Sequence, residues 1–259
     1  METQDQTQEA SKTSNRKWIV LAVGGGCALI ACLALAAALA VSYLGPTRGG
    51  TLGALFANPN AAQPTGTPQG PAPNVVMPPA RDHPQENGNK MGDPNAPVKI
   101  VEYADFQCPY CMHYWQETEP QIIQNYVATG KVYYEYHSVG AFIGPESADA
   151  ANAAYCAGDQ NKFWEYHDIL FANWTGENAG DFTPDKLRQY AAALNLQLDQ
   201  FNTCLNSGAH TAQVDQDVND AKAAGVQGTP AFIINGKLTE GAQPYSTFQQ
   251  TIDAALNGQ

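Results

Sequence analysis

The strongest constraint on this chain is one short passage, Asp105-Phe106-Gln107-Cys108-Pro109-Tyr110-Cys111, lying between an alternating apolar run and a helical one. Val98-Lys99-Ile100-Val101-Glu102-Tyr103 precedes it and reads as a short buried strand. After it, Tyr114, Ile122 and Tyr126 recur with helical spacing, which predicts a helix to about Ala128. The cysteine pair therefore falls where a strand hands over to a helix, with Cys108 at the helix N-terminus. Unpaired backbone N–H groups and the positive end of the macrodipole favour a thiolate there. Pro109 suits the first helical turn, where its missing N–H costs nothing. Cys111 lies one turn deeper, within reach of Cys108 for a small disulfide ring. A strand, a C-P-x-C turn and a helix read as a redox dithiol. The competing chemistry is half of a zinc site. Zinc wants four ligands, and no second C-x-x-C or H-x-x-x-H follows residue 92, so no metal is expected.

Upstream, Trp18 to Leu44 runs 27 residues without a charge, enough to span the roughly 30 Å hydrocarbon core of a bilayer. Lys12, Arg16 and Lys17 flank it on the N-terminal side. By the positive-inside rule, residues 1–17 form a cytoplasmic tail and everything after Leu44 is extracytoplasmic. Ala38-Leu39-Ala40 resembles a signal-peptide cleavage site, but the run exceeds the usual core of about 7–15 residues, so an uncleaved signal-anchor over 18–44 is expected. Either reading exports the rest. Cys27 and Cys32 fall in this run and are assigned no role.

Residues 45–92 hold nine prolines and eight glycines with few large apolar side chains, which predicts a disordered tether. As a loose coil it would span on the order of 40 Å. The globular domain is expected over 93–259, large enough for one core. The chain carries 13 Lys and Arg against 25 Asp and Glu, net −12, with all the excess acid after residue 90. Without a basic stripe, nucleic acid is not an expected partner.

Within the domain, Lys131 to His137 alternates as a second strand after the helix-ending Gly130, giving β-α-β with a parallel pair. His137, near that strand's end, reads as structural. Residues 145–225 become helical: 145–157, 162–173, a helix opened by Thr183-Pro184, then 198–205 and 210–224. After Gly225 come Gly228-Thr229-Pro230, the strand Ala231–Ile234, the hairpin turn Asn235-Gly236, a short partner strand and a last helix over 244–256.

A strand leading into Cys108-Pro109-Tyr110-Cys111, with a distant Gly228-Thr229-Pro230 before a strand and hairpin, resembles the thioredoxin fold. The helical insert between the two halves resembles the DsbA-type thiol–disulfide oxidoreductases in particular. Asp93-Pro94-Asn95-Ala96-Pro97, the run Val101 to Phe106, and Phe163-Trp164 add to the likeness, which covers about residues 90–259. It implies an α/β thioredoxin fold with a helical insert, Cys108 as the exposed attacking thiol and Cys111 as the buried resolving one. It also implies a cis Pro230, with Thr229 offering its backbone to an extended client peptide, a pairing that suits a chain turned by a cis bond. Glu102 matches the family's buried acid, a carboxyl placed to exchange protons with Cys111. No cofactor is implied.

In an exported domain the two remaining cysteines, Cys156 and Cys204, are expected to form a structural disulfide, as similar proteins of this family often do. The implied partners are reduced exported proteins and a quinone-linked membrane reoxidant. Tyr110 stands where the best-known oxidant of the family has histidine, so no cation from that position supports the thiolate. Even so, Cys108 is expected to titrate at about 4–6 and the dithiol to lie at about −100 to −200 mV, above thioredoxin's roughly −270 mV. The leading expectation is a membrane-tethered oxidase that introduces disulfides into exported proteins. A reductase or isomerase using the same dithiol stands second. The non-enzymatic alternative is a binding or chaperone-like module with a static disulfide.

Overall fold

A computed structural model describes residues 74–140 and 142–258. The expected cytoplasmic tail, the spanning segment 18–44 and the tether up to residue 73 lie outside the described residues. Among the described residues, no helix is long and apolar enough to cross a membrane.

A five-stranded sheet forms the centre. Its strands are β1 (Lys90–Met91), β2 (Val98–Ala104), β3 (Val132–Ser138), β4 (Ala231–Ile234) and β5 (Lys237–Glu240). Their order is β1-β3-β2-β4-β5, with β2 and β3 parallel and the other pairings antiparallel. The parallel pair is the β-α-β unit read from the sequence, and the β4–β5 turn is closed by Asn235 and Gly236, both at positive φ (45° and 84°). Such a turn matches the twist of its strands, and the Asn-Gly pair tolerates its backbone.

The first helix departs from expectation. In place of one helix to Ala128 there are α1 (Pro109–Glu117), α2 (Glu119–Ile122) and a π-helical turn, Ile123–Val127. Pro120 has no N–H to give to an i−4 carbonyl, so the helix is interrupted just before it, at Thr118. The insert consists of α3 (Pro145–Gly158), α4 (Phe163–Asn173), α5 (Pro184–Ala193), α6 (Leu198–Ser207) and α7 (Thr211–Ala223). The Ala-rich α3 lets neighbours approach closely and packs against α4, α5, α6 and α7. Thr183 occupies the N-cap position of α5, but its side chain makes no capping hydrogen bond. The last helix, α8 (Tyr245–Leu256), packs on β2 and β4.

The two sheet faces differ. On one, Ile100, Tyr134, Tyr136 and Phe232 join Phe106, Tyr114, Trp164, Phe171 and Phe248 in the main core. On the other, Tyr103, Val139 and Ala231 pack beneath Val218 and Ala221 of α7. The alternation along β2 and β3 decides which side chain goes to which face.

The domain begins earlier than residue 93. Residues from Val76 onward are bound to it, against the expected tether to Gly92. Val76 exchanges two 2.8 Å hydrogen bonds with the Asn173 side chain. Arg81 reaches Glu119, His83 reaches Asp168, and β1 adds an antiparallel edge to β3. The composition hid this because the segment docks mainly by polar contacts and backbone pairing, with little apolar burial apart from Met91.

Candidate active site

The dithiol sits on the turn from β2 into α1. Gln107 N–H donates to the Asp105 carboxylate at 2.8 Å and Cys108 N–H to the Asp105 carbonyl at 3.0 Å, folding the turn. The Gln107 side chain donates to Ser147 Oγ of α3 at 2.9 Å and accepts from the Asn178 N–H at 2.5 Å, fixing the insert beside the turn. Cys108 is the N-cap residue of α1, and its carbonyl takes the first helical hydrogen bond, from Met112 N–H at 3.0 Å. Pro109 is at the first helical position, as its missing donor permits. Tyr110 stands out at the surface, 66% exposed.

Cys108 and Cys111 are free thiols, and both are buried, Cys108 at 5% exposure rather than exposed as expected because the Thr229–Pro230 loop packs over it; their electrostatics are opposite. A hydrogen bond from Cys111 is the largest influence on Cys108. Together with the Thr229 side chain and the N–H groups of Cys111 and Tyr110, it outweighs burial and lowers the Cys108 thiol to about 6. Burial pushes Cys111 well up, and the neighbouring Cys108 and Glu102 push it further. One thiol is thus poised as a thiolate near neutral pH, while the other holds its proton.

The Thr229–Pro230 bond is cis, and the Thr229 carbonyl lies 3.3 Å from Cys108 Sγ, accepting from the thiol. The hairpin half of the fold thereby meets the dithiol 121 residues away in sequence. Glu102 is buried behind it on β2, between Tyr136 of β3 and Phe232 of β4 in register. Burial raises its carboxyl to about 8 despite a 2.6 Å hydrogen bond from Tyr134 Oη. A carboxyl in that range is protonated at neutral pH and able to give up a proton in turnover.

Cys156 and Cys204 lie apart from this site, joined by a disulfide that ties α3 to α6. His137 is held between Glu135 at 3.0 Å and Asp217 at 2.9 Å. Among the described residues, neither active-site cysteine belongs to a group of three metal-ligating side chains.

Sequence reasoning missed the polar partners of the site: Tyr134, Tyr114, Gln107, Glu119 and Arg81. Tyr134 could have been found, since it shares an inward parity with Tyr136 on β3. Nothing local marked Glu119 as buried or Arg81 as its partner.

A scan of family models matches residues 85–254 to the family described as thioredoxin. The probable disulfide bond formation protein D of Bacillus cereus is 30% identical over 171 residues, covering 64% of this chain and 77% of that protein. The Na(+)/H(+) antiporter NhaA 1 of Salinispora arenicola is 34% identical over 185 residues, or 71% of this chain. That match spans only 26% of the antiporter's length. The crystal structure of oxidised BdbD from Bacillus subtilis superposes with a TM-score of 0.62 at 23% identity, covering 70% of this chain and all of that one. A strand–C-x-x-C–helix turn facing a cis-proline loop defines the thioredoxin class, and the helical insert narrows it. This chain belongs to the thioredoxin family, among the DsbA-type thiol–disulfide oxidoreductases.

Proposed function

We propose that this protein is an extracytoplasmic oxidase, held to the membrane by residues 18–44, that introduces disulfide bonds into reduced exported proteins. The observation that carries this reading is the asymmetry of the dithiol, with Cys108 lowered to about 6 and Cys111 pushed up. A low-pKa thiolate stabilises the reduced form and so makes the disulfide a stronger oxidant.

In the oxidising direction a client thiolate attacks Cys108 Sγ. The Cys108–Cys111 bond breaks and a client–Cys108 disulfide forms. Cys111 leaves as a thiolate and takes the proton that the Glu102 carboxyl holds near neutral pH. A second client thiolate then attacks the client sulfur of the mixed disulfide, releasing the Cys108 thiolate and the oxidised client. Thr229 lies where an extended client could pair with its backbone as the first attack occurs. A quinone-linked membrane protein is the proposed acceptor of the two electrons.

The deciding experiment equilibrates the full chain, in detergent, with glutathione buffers. A potential between about −100 and −200 mV supports the oxidase reading; one near thioredoxin's roughly −270 mV would assign the protein to the reductases. Failure to exchange with glutathione at all would leave a binding module with a static disulfide.

A further inference from the structure

The segment ahead of β1 meets α4 across a cluster of side chains that the dithiol chemistry does not use. A ring nitrogen of His83 and one carboxylate oxygen each from Glu86 and Glu165 lie within 4.8 Å of one another. His83 and Glu86 stand three residues apart on the segment, and Glu165 is in the first turn of α4. The His83 ring centroid lies 5.9 Å from that of Trp164, whose Nε1 donates to the Lys90 carbonyl at 3.2 Å. Ring and backbone contacts thus hold the same two pieces of chain together.

Two features of the cluster point to a cation. Glu86 Oε2 and Glu165 Oε2 are buried and have no hydrogen-bond partner among the described residues. A carboxylate oxygen taken out of water without a donor is costly, and a second carboxylate close by adds repulsion to that cost. Lys162 meets only the other oxygen of Glu165, Oε1, at 2.5 Å. The second feature is the way His83 is held. Its side chain is 7% exposed, and its Nε2 lies 3.2 Å from Asp168 Oδ2. Asp168 is fixed in turn by Trp115 Nε1 at 2.8 Å. A histidine that gives its Nε2–H to a carboxylate presents Nδ1 as a lone pair, and metal-ligating histidines are held in this way.

We propose that His83, Glu86 and Glu165 bind one divalent transition-metal cation, with zinc the best fit, and that the ion clips the segment ahead of β1 to α4. One imidazole and two carboxylates are a zinc-type donor set, whereas calcium and magnesium take oxygen ligands. Bonds of about 2.0–2.2 Å set neighbouring ligands of a tetrahedral ion about 3.4 Å apart. The three atoms, no more than 4.8 Å apart, therefore need to draw in by at most about 1.4 Å, within the reach of two glutamate side chains. Water takes the fourth position. All three residues are only partly buried, which leaves the ion a way in from solvent.

Two other clusters of similar composition are poorer hosts. Cys156 and Cys204, beside His210, are joined in their disulfide, and Glu119, beside His167 and Asp168, already takes Arg81 at 3.0 Å. No local motif announces the His83 site, because Glu165 is 79 residues beyond Glu86. The match to the thioredoxin family begins at residue 85, after His83.

The test uses the full chain in detergent, with the dithiol oxidised so that no active-site thiolate competes. The protein is stripped with EDTA and titrated with Zn²⁺ against a chromophoric chelator. One equivalent should bind. Loss of a supporting partner costs about 10–100-fold in affinity, so Asp168→Asn should weaken binding by that much and His83→Ala, Glu86→Gln and Glu165→Gln by about a hundredfold or more. Lys162→Met removes the rival cation and should tighten binding. X-ray absorption of the zinc-loaded protein should show a nitrogen and oxygen shell at about 2.0–2.2 Å and no sulfur shell at about 2.3 Å. Zinc should also slow proteolysis within residues 76–91 of the unmodified protein, but not of Glu86→Gln.

Absence of a one-to-one site, an affinity unchanged in both glutamine variants, or a sulfur shell that puts the ion on cysteines would overturn the proposal. If a ligand variant does not fold, Lys162→Met decides, since it leaves all three ligands in place: tighter binding supports the site, and unchanged or weaker binding refutes it. None of these measurements needs turnover, so failure of the oxidoreductase reading would leave the site standing.

Discussion

Replacing Cys111 with alanine removes the largest stabiliser of the Cys108 thiolate, whereas replacing it with serine keeps a hydrogen-bond donor in place. A hydrogen bond to a charged group contributes about 1.5–3 kcal/mol, and one pKa unit corresponds to about 1.4 kcal/mol. Losing that bond should therefore raise Cys108 by about one to two units, from about 6 to about 7–8. It should stop short of an ordinary thiol because the Thr229 side chain and the N–H groups of Cys111 and Tyr110 remain. At pH 7 the thiolate fraction would fall from about nine-tenths to between about a half and a tenth. Serine should leave it nearly unchanged. The assay is thiolate absorbance near 240 nm against pH, with the rate of mixed-disulfide trapping measured in parallel. Both variants should trap clients through Cys108, but the alanine one should need about one to two pH units more to reach full rate. Equal midpoints for the two variants would show that the helix end and Thr229 lower Cys108 unaided. Trapping that survived Cys108→Ala and vanished in Cys111→Ala would reverse the roles.

Two further predictions concern the scaffold. The Cys156–Cys204 bond closes a loop with a sequence separation of 48, so Cys156→Ala/Cys204→Ala should lose about 4 kcal/mol in the chain-entropy account, read by denaturant unfolding with the dithiol kept reduced. A loss under about 1 kcal/mol would mean that α3 and α6 are held by packing alone. Burial alone would lower His137, but its bonds to Asp217 and Glu135 prevail and raise it to about 9. The stability this pairing contributes is fully present below the ordinary value of about 6.5 and lost as pH rises through about 9. His137→Gln should therefore be less stable than the unmodified protein at pH 6, with the gap closing by pH 10. A constant gap would refute the ion-pair account.

The dithiol, its place at a helix N-terminus and the β-α-β, insert, hairpin, helix order were legible in the sequence. Each depends on neighbours a few residues apart, where spacing and backbone chemistry act directly. Tertiary structure alone decided what stands around the thiols. The Thr229 carbonyl reaches Cys108 because β4 is hydrogen-bonded beside β2, a pairing that no local pattern specifies. The break at Thr118 follows from Pro120, but that Glu119 then enters the core depends on α4 and the segment ahead of β1 supplying His167 and Arg81. Composition gives no sign that this segment docks, because composition registers apolar area, whereas Arg81, His83 and the Val76 backbone dock through ion pairs and hydrogen bonds. Local residue chemistry placed the dithiol at the helix N-terminus. The polar groups buried behind it come from distant parts of the chain, and a charge becomes costly, and therefore informative, only once folding has taken it out of water.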